Sequence, residues 1–232
     1  MSATSEEAQA AFSRADRIAF QRSIRDRRYK LHRRYKKVRR EQTKYIIVHT
    51  SEAGLRSTLN VISTGKIFRR GGRTYGGHAH YVIARNGRTY RTLDKNYRAD
   101  HAGLSMWNGE TDISDVSIGI ELVGYHYTPI TKKQYWSLGI LIDILKDVYH
   151  LDDRAVLTHS QVAYGKPNRW VKRNHRGRKK CAKNFERRKA DLVQAWSYDP
   201  DVRAWRLKAD RKLNAIYYRR RVAVTSRIGS NT

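Results

Sequence analysis

Cysteine, proline and long apolar runs are scarce in this chain of 232 residues. A single cysteine, Cys181, excludes an internal disulfide bond and leaves one thiol whose role needs explaining. No run of 18 apolar residues occurs, which argues against a membrane-spanning helix. Residues 1–10 are polar and acidic and lack the apolar stretch of a signal peptide. We therefore expect either a protein that stays in the cytoplasm or one whose leader is missing from this sequence.

Acidic residues are also few. The chain has 21 Asp and Glu against 49 Lys and Arg, which gives a formal net charge of +28. Hydrophobic residues still make up 39% of the sequence, enough for a buried core, and this excludes wholesale disorder. The charge predicts an acidic partner, and nucleic acid, anionic lipid and cell-wall polymers all satisfy that description.

The positive charge is concentrated in three segments. Residues 14–44 contain 14 Lys or Arg, residues 169–189 contain eleven, and residues 203–227 contain nine. The first segment has neither proline nor glycine and is predicted to be helical. Residues 45–165 have an ordinary composition and should contain most of the catalytic or ligand-binding part. The predicted organisation is a basic helical extension over 1–43, a central domain over 44–190, and a basic helical extension over 191–232.

The central domain alternates strand and helix patterns. Short β-branched runs predict strands at 45–49, 116–123 and 155–158. Apolar residues at helical spacing predict helices at 51–63 and 131–150. This order predicts an α/β fold with a central mixed β-sheet flanked by helices.

Two local motifs refine these predictions. Thr131 and Gln134 form a capping box at the start of the longest helix. Asn86 and Gly87 predict a two-residue turn in a hairpin over residues 80–91, with positive φ at both turn positions.

Three residues with metal-binding side chains lie at strand ends or in a loop. His49 ends the first strand, His159 follows the last, and Cys181 lies in a lysine-rich loop. Two imidazoles and a thiolate, with one open position, would make a tetrahedral catalytic zinc site. Taken singly, each has an ordinary explanation as a hydrogen-bonded histidine or a small buried cysteine. The neighbouring Lys179 and Lys180 would lower the pKa of the thiol and favour the thiolate that a metal requires.

Five short motifs in order identify a resemblance. They are Ile47-Val48-His49-Thr50, Ala79-His80-Tyr81-Val82-Ile83, His101-Ala102-Gly103-Leu104-Ser105, Ser117-Ile118-Gly119-Ile120-Glu121-Leu122 and Thr158-His159-Ser160. Together they resemble the type 2 N-acetylmuramoyl-L-alanine amidase family, whose zinc amidase fold is shared with the peptidoglycan-recognition proteins. The resemblance extends over roughly residues 44–190.

The resemblance implies one zinc ion per chain, bound by His49, His159 and a third ligand. In the family the third ligand follows a lysine by two positions, as Cys181 follows Lys179. The interval from His159 to the cysteine is longer here than is usual in the family. His175 therefore remains an alternative third ligand.

The resemblance also implies the catalytic and substrate-binding residues. Glu121 corresponds to the family's general base, and Lys179 corresponds to the lysine that stabilises the oxyanion. The residues that correspond to the substrate-binding part of the family are His80, His101, Ser105, Trp107 and Asn108.

The resulting hypothesis is a zinc-dependent peptidoglycan hydrolase that cleaves the amide between N-acetylmuramic acid and L-alanine of the stem peptide. One alternative is a non-catalytic peptidoglycan receptor on the same fold. The other is a basic nucleic-acid-binding protein, because tyrosines lie within the basic runs at 27–30 and 217–221. No helix-turn-helix, zinc-finger or RNP motif accompanies those runs, so we expect no sequence-specific nucleic-acid partner.

Substrate and location follow from the same reasoning. We expect peptidoglycan or soluble muropeptides as the substrate, with anionic envelope polymers as partners of the basic extensions. An envelope location, periplasmic or secreted, is favoured over a cytoplasmic recycling enzyme or a phage lysin. A recycling enzyme acting on soluble fragments gains little from polycationic extensions. The sequence predicts no oligomeric state.

Overall fold

The computed structural model describes residues 12–69 and 71–218. Its strands are β1 (Arg25–Asp26), β2 (Tyr45–Thr50), β3 (Tyr81–Ile83), β4 (Thr89–Arg91), β5 (Met106–Trp107), β6 (Glu110–Thr111), β7 (Ser117–Leu122) and β8 (Val156–Thr158). The main sheet contains six of them in the order β1-β4-β3-β7-β2-β8, and β5 and β6 form a separate hairpin.

Six α-helices accompany the strands in the described residues. They are α1 (Arg14–Ser23), α2 (Leu55–Thr64), α3 (Lys132–Tyr149), α4 (His159–Val162), α5 (Pro200–Arg203) and α6 (Arg211–Tyr217). Short 3-10 turns occur at Arg28–Lys30, Ile113–Val116, Asp153–Ala155 and Arg187–Ala190. None of the helices described here has both the length and the apolar character needed to cross a bilayer.

The centre of the sheet is parallel and fully buried. Strand β2 pairs in parallel with both β7 and β8, and β3 pairs in parallel with β7. Only the β3–β4 pair is antiparallel, so the sheet is mixed, as predicted. Apolar residues on both faces of β2 and β7 are inaccessible to solvent, which explains why these strands read as continuous hydrophobic runs.

Helix α3 covers one face of the sheet. Both hydrogen bonds of the predicted capping box are present between Thr131 and Gln134, so this prediction is confirmed. Leu138, Leu141 and Leu145 face inward and join the principal core beneath the sheet.

The turn between β3 and β4 differs from the prediction. Only Gly87 has positive φ, at 83°, and Asn86 does not. The strands end farther apart than a two-residue turn allows, and the Gly87 N–H donates to the Ala84 carbonyl at 2.8 Å. A longer loop of this kind needs the left-handed conformation only at its last position. Asn108-Gly109, between β5 and β6, does have positive φ at both positions.

The N-terminal extension is not one long helix, and that prediction is wrong. Helix α1 ends at Ser23, after which β1 adds to the edge of the sheet beside β4. The chain then runs without helix towards β2, apart from the single 3-10 turn, because its polar groups find partners on the central domain. The Arg40 guanidinium, for example, donates to the Ser117 carbonyl at 2.7 Å. The extension is therefore wrapped around the domain.

The described part of the C-terminal extension is also packed against the central domain. Its helical content is limited to the short α5 and α6. The side chain of Arg176, only 3% exposed, bonds Asp199 at 2.7 Å and Asp201 at 3.0 Å. The same guanidinium donates to the carbonyls of Met106 and Val162. This buried ion cluster anchors the extension.

Candidate metal centre

The parallel strands bring the predicted chemical groups to one edge of the sheet. His49 in β2 lies directly opposite Glu121 in β7. His159 is the first residue of α4, immediately after β8. Because the carboxyl ends of adjacent parallel strands share one edge, residues distant in sequence converge there.

His49, His159 and Cys181 form one cluster of metal-binding donors. One donor atom from each lies within 4.8 Å of the other two, and His49 Nδ1 is 3.7 Å from Cys181 Sγ. Bond lengths of about 2.1 Å for zinc–nitrogen and 2.3 Å for zinc–sulfur place two such tetrahedral ligands about 3.6 Å apart. The donor set and spacing therefore fit zinc. Among the described residues His175 is not part of this group, and its Nδ1 contacts the Arg173 carbonyl at 3.1 Å.

A hydrogen-bond chain determines the tautomer of His49. The Ser117 hydroxyl donates to the Ile113 carbonyl at 2.6 Å, so its oxygen must accept from His101 Nε2 at 3.1 Å. His101 Nδ1 is then unprotonated and accepts from His49 Nε2 at 3.0 Å. His49 consequently presents the lone pair of Nδ1, the atom that faces Cys181. Burial lowers the pKa of both imidazoles well below the usual value, which favours the neutral form.

His159 is oriented in the same way. Its Nε2 donates to the Ala102 carbonyl at 3.1 Å, which leaves the Nδ1 lone pair for a metal. Burial, followed by the nearby charge of Lys179, lowers the pKa of His159 to about 3. Both imidazoles are thus neutral, with defined tautomers that leave a lone pair available to a metal.

The glycine of the Ile-Gly-Ile-Glu motif makes room for His101. A Cβ atom at Gly119 would lie 2.6 Å from the His101 ring. No side chain fits there without moving the imidazole. His101, predicted to bind substrate, is buried and lies at the edge of the cleft, but both of its ring nitrogens are engaged by Ser117 and His49.

The pKa of the Cys181 thiol is raised, whereas the sequence predicted that the neighbouring lysines would lower it. Burial raises its pKa, and the negative charge of Glu121 raises it further. Lys179 and Lys180 are exposed, so solvent screens their effect on the sulfur. The Thr50 N–H donates to Sγ at 3.2 Å. A thiolate at this position therefore requires a cation to neutralise it, as a bound metal would.

Glu121 carries an uncommitted carboxylate beside the cluster. Its Oε1 lies 3.9 Å from His49 Nδ1, and its Oε2 is buried with no hydrogen-bond partner among the described residues. Burial and the charge of Glu52 raise the pKa of Glu121 to about 8. A buried carboxylate without a partner is unfavourable unless it interacts with something that binds there.

Glu121 and His101 line a cleft of about 820 Å³. Helix α2 forms one wall, and residues 34–38 of the N-terminal extension contribute to another. Arg34, Lys36 and Lys66 line the cleft and form no ion pair with any acid in the described residues. The cleft is therefore rimmed with free positive charge.

Two residues predicted to bind substrate lie in the interior of the structure. Trp107 and His80 have no exposed surface. Trp107 packs in a core cluster with Ile47 and Leu157. His80 accepts from the Gly119 N–H at 3.0 Å and contacts the Tyr97 carbonyl through Nε2 at 2.8 Å. Both side chains stabilise the scaffold behind the site.

Ser105 and Asn108 are also outside the cleft beside Glu121. The Ser105 hydroxyl accepts from the Ile113 N–H and donates to the Gly103 carbonyl, which stabilises the local loop. Asn108 is exposed at the β5–β6 turn with φ of 51°. An Asn-Gly dipeptide, which does not give two positive φ values at 86–87, does so at this turn.

Comparison with known proteins identifies the family. Residues 39–182, more than half of the chain, match the sequence profile described as N-acetylmuramoyl-L-alanine amidase. The chain belongs to this family.

Individual relatives match over shorter stretches. The 1,6-anhydro-N-acetylmuramyl-L-alanine amidase AmpD of Haemophilus influenzae is 42% identical over 71 residues, which cover 31% of this chain and 39% of that protein. The N-acetylmuramoyl-L-alanine amidase AmiD of Escherichia coli K12 is 30% identical over 101 residues, covering 37% of each protein. The chain thus spans less than half the length of these curated relatives.

A solved structure confirms the fold. The N-acetylmuramoyl-L-alanine amidase LysC from Clostridium intestinale superposes with a TM-score of 0.54 at 18% identity. The match covers 72% of this chain and 94% of LysC. At that identity the likeness shows the amidase fold alone, a mixed sheet flanked by helices.

Proposed function

We propose that this chain is a zinc-dependent amidase that hydrolyses the bond between N-acetylmuramic acid and L-alanine of the stem peptide. The observation that carries the proposal is the proximity of three zinc-type ligands to an uncommitted glutamate that lines an open cleft. Family membership and the amidase names of AmpD and AmiD support the same reaction.

His49, His159 and Cys181 would hold the zinc. Two neutral imidazoles and one thiolate leave a net positive charge and an open position, which suits a catalytic site. When bound, the ion polarises the substrate carbonyl and lowers the pKa of a coordinated water. We assign His101 a positioning role, because it fixes the ring of His49 through the 3.0 Å contact between the two imidazoles.

Glu121 would act as the general base and then as the general acid. Its carboxylate accepts a proton from the attacking water as the new carbon–oxygen bond forms. It then delivers that proton to the alanine nitrogen as the carbon–nitrogen bond breaks. Burial raises the pKa of Glu121 to about 8, which favours the protonated form that a proton donor requires.

Lys179 would stabilise the negative charge on the carbonyl oxygen. Its charge contributes to the lowered pKa of both His49 and His159, so the ammonium group lies within electrostatic reach of the centre. A cation at that distance lowers the energy of an oxyanion formed beside the metal.

The free cations of the cleft support an acidic substrate. Stem peptides carry carboxylates, and Arg34, Lys36 and Lys66 offer uncompensated positive charge along the cleft. We therefore propose that the stem peptide lies between α2 and residues 34–38. Intact peptidoglycan and anhydro-muropeptides both satisfy this chemistry, and the basic extensions favour an anionic envelope as the place of action.

The two alternatives are less well supported. A non-catalytic receptor has no use for a complete ligand set with a base beside it. For nucleic acid, base stacking by the tyrosines of 217–221 requires free rings, but the Tyr217 hydroxyl bonds to Ser160 at 2.7 Å. Residues 219–221 lie outside the described residues.

Mass spectrometry of digests tests the proposal. Intact sacculi and soluble anhydro-muropeptides are incubated with the protein, with the protein plus chelator, and with the chelated protein after zinc is restored. We expect free stem peptide, loss of product with chelator, and recovery with zinc. Intact muropeptide in every arm would show that the chain is not an amidase of this type.

A further inference from the structure

Helix α6 lies outside the segment that matches the amidase family, yet it reaches the backbone that carries two of the metal-binding residues. The family match ends at residue 182, whereas α6 spans Arg211–Tyr217. Asp210 caps the helix by accepting from the Leu213 N–H at 2.9 Å, and Leu213 is buried. The helix is thus held in place before its last residue, Tyr217.

The Tyr217 hydroxyl lies between the two ligand-bearing segments. It accepts from the Thr158 hydroxyl at 2.9 Å and lies 2.7 Å from the Ser160 hydroxyl. These two residues flank His159. On the other side, the phenol lies 3.4 Å from the carbonyl of Ala182, the residue after Cys181. One oxygen atom therefore contacts both neighbours of one proposed ligand and the neighbour of another.

The surrounding bonds transmit that contact to the ligands. Thr158 is the N-cap of α4, and its hydroxyl accepts from the Gln161 N–H, so it sets the direction in which His159 leaves β8. The Ser160 N–H donates to the Cys181 carbonyl at 3.3 Å, which joins the two segments directly. Burial raises the pKa of Tyr217 to about 12, so the phenol retains its proton at neutral pH.

We propose that Tyr217 is a positioning residue that fixes His159 relative to Cys181 and so preorganises the metal centre. This inference rests on the zinc site of the proposed function. The C-terminal extension would then support the centre through a residue that does not line the cleft. Removal of one hydroxyl group should then weaken metal binding without removing any ligand. Outer contacts of this kind typically alter metal affinity by about 10- to 100-fold.

The test compares Tyr217→Phe with Tyr198→Phe in the full chain. Tyr198 belongs to the same extension, but its hydroxyl bonds to no residue that the structure describes, so it controls for loss of a phenol. Zinc affinity is measured by competition with a chromophoric chelator, and unfolding of the metal-free proteins is followed by circular dichroism. We expect Tyr217→Phe to bind zinc about 10- to 100-fold more weakly, and Tyr198→Phe to bind like the wild type.

Cobalt(II) and a double-mutant cycle separate positioning from stability. Cobalt replaces zinc and reports ligand geometry through its visible spectrum, which Tyr217→Phe should shift and Tyr198→Phe should not. Ser160→Ala removes the same hydrogen bond from the other side. We expect the effects of Tyr217→Phe and Ser160→Ala on zinc affinity to be less than additive, because each breaks the same contact.

The outcomes distinguish this inference from the proposed function. Unchanged zinc affinity and an unchanged cobalt spectrum in Tyr217→Phe overturn the inference, even if the metal-free variant is less stable. A wild type that binds zinc but cleaves no muropeptide overturns the proposed activity and leaves the positioning role standing. If Tyr217→Phe does not fold, unchanged zinc affinity in Ser160→Ala overturns the inference in its place.

Discussion

The two basic extensions of the chain approach the same centre differently. Residues 34–38 of the N-terminal extension line the cleft in front of Glu121 and present Arg34 and Lys36 to whatever occupies it. The C-terminal extension contacts the backbone behind the centre through Tyr217. We therefore propose separable roles for the two basic extensions, one in substrate binding and the other in metal binding.

The largest expected effect comes from detaching the C-terminal extension. Arg176→Ala would leave Asp199 and Asp201 as buried carboxylates without their principal cation. Breaking a buried ion pair in this way typically costs about 3–5 kcal/mol. We expect that loss in the free energy of unfolding measured with urea. Arg206→Ala is the control, because Arg206 is half-exposed and its contact to Asp201 is longer, at 3.3 Å. Equal losses in both variants would contradict the anchoring role of the buried cluster.

A smaller effect is expected from a substitution in the segment that matches the family. This segment is the reference with which both extensions are compared. In Gly119→Ala the new Cβ would lie 2.6 Å from the His101 ring and displace the contact that orients His49. We expect zinc affinity to fall by about 10- to 100-fold, measured by chelator competition. Gly54→Ala is the matched control, because a Cβ there meets no atom within 4 Å. If Gly119→Ala binds zinc as tightly as the wild type, the contact with His101 does not position His49 for the metal.

The smallest expected effect is on substrate binding by the N-terminal extension, which distinguishes it from the C-terminal extension. Arg34→Ala combined with Lys36→Ala should raise KM for an acidic muropeptide by about three- to tenfold, because exposed charge pairs contribute about 0.2–1 kcal/mol each. Zinc affinity should not change. The increase in KM should shrink at high salt, where the charges are screened. The control is Lys132→Ala with Lys133→Ala, two exposed cations at the start of α3. A KM change of the same size there would refute the role of the cleft wall.

Local sequence patterns predicted the elements that position the site. The β-branched run at 45–49, the capping box at Thr131 and the order of strands and helices all correspond to the structure. His49, His159 and Cys181 could be selected because zinc chemistry restricts ligand types and the family motifs restrict their order. The parallel pairing of β2 with β7 and β8 then brings the ends of these strands together.

The features that were not predicted depend on contacts between distant segments. Nothing local to residues 24–44 indicates that the chain leaves the helix after Ser23 and then runs along the sheet edge and the cleft. Tyr217 belongs to a basic run that resembles a nucleic-acid contact, and only the folded chain shows its hydroxyl at Ser160. Trp107 was expected in the substrate groove but is fully buried, because packing and not motif position determines its environment.

Glu121→Gln tests whether Glu121 is the general base of the proposed amidase. The substitution keeps the shape of the side chain, removes the proton-accepting carboxylate and leaves all three proposed ligands intact. We expect zinc content of one ion per chain by elemental analysis and unchanged thermal unfolding. We expect kcat for muropeptide cleavage to fall by about 10²- to 10⁴-fold. Glu110→Gln, a carboxylate paired with Lys44 at the surface, is the control and should cleave like the wild type. Wild-type turnover by a fully zinc-loaded Glu121→Gln variant would show that Glu121 is not the general base.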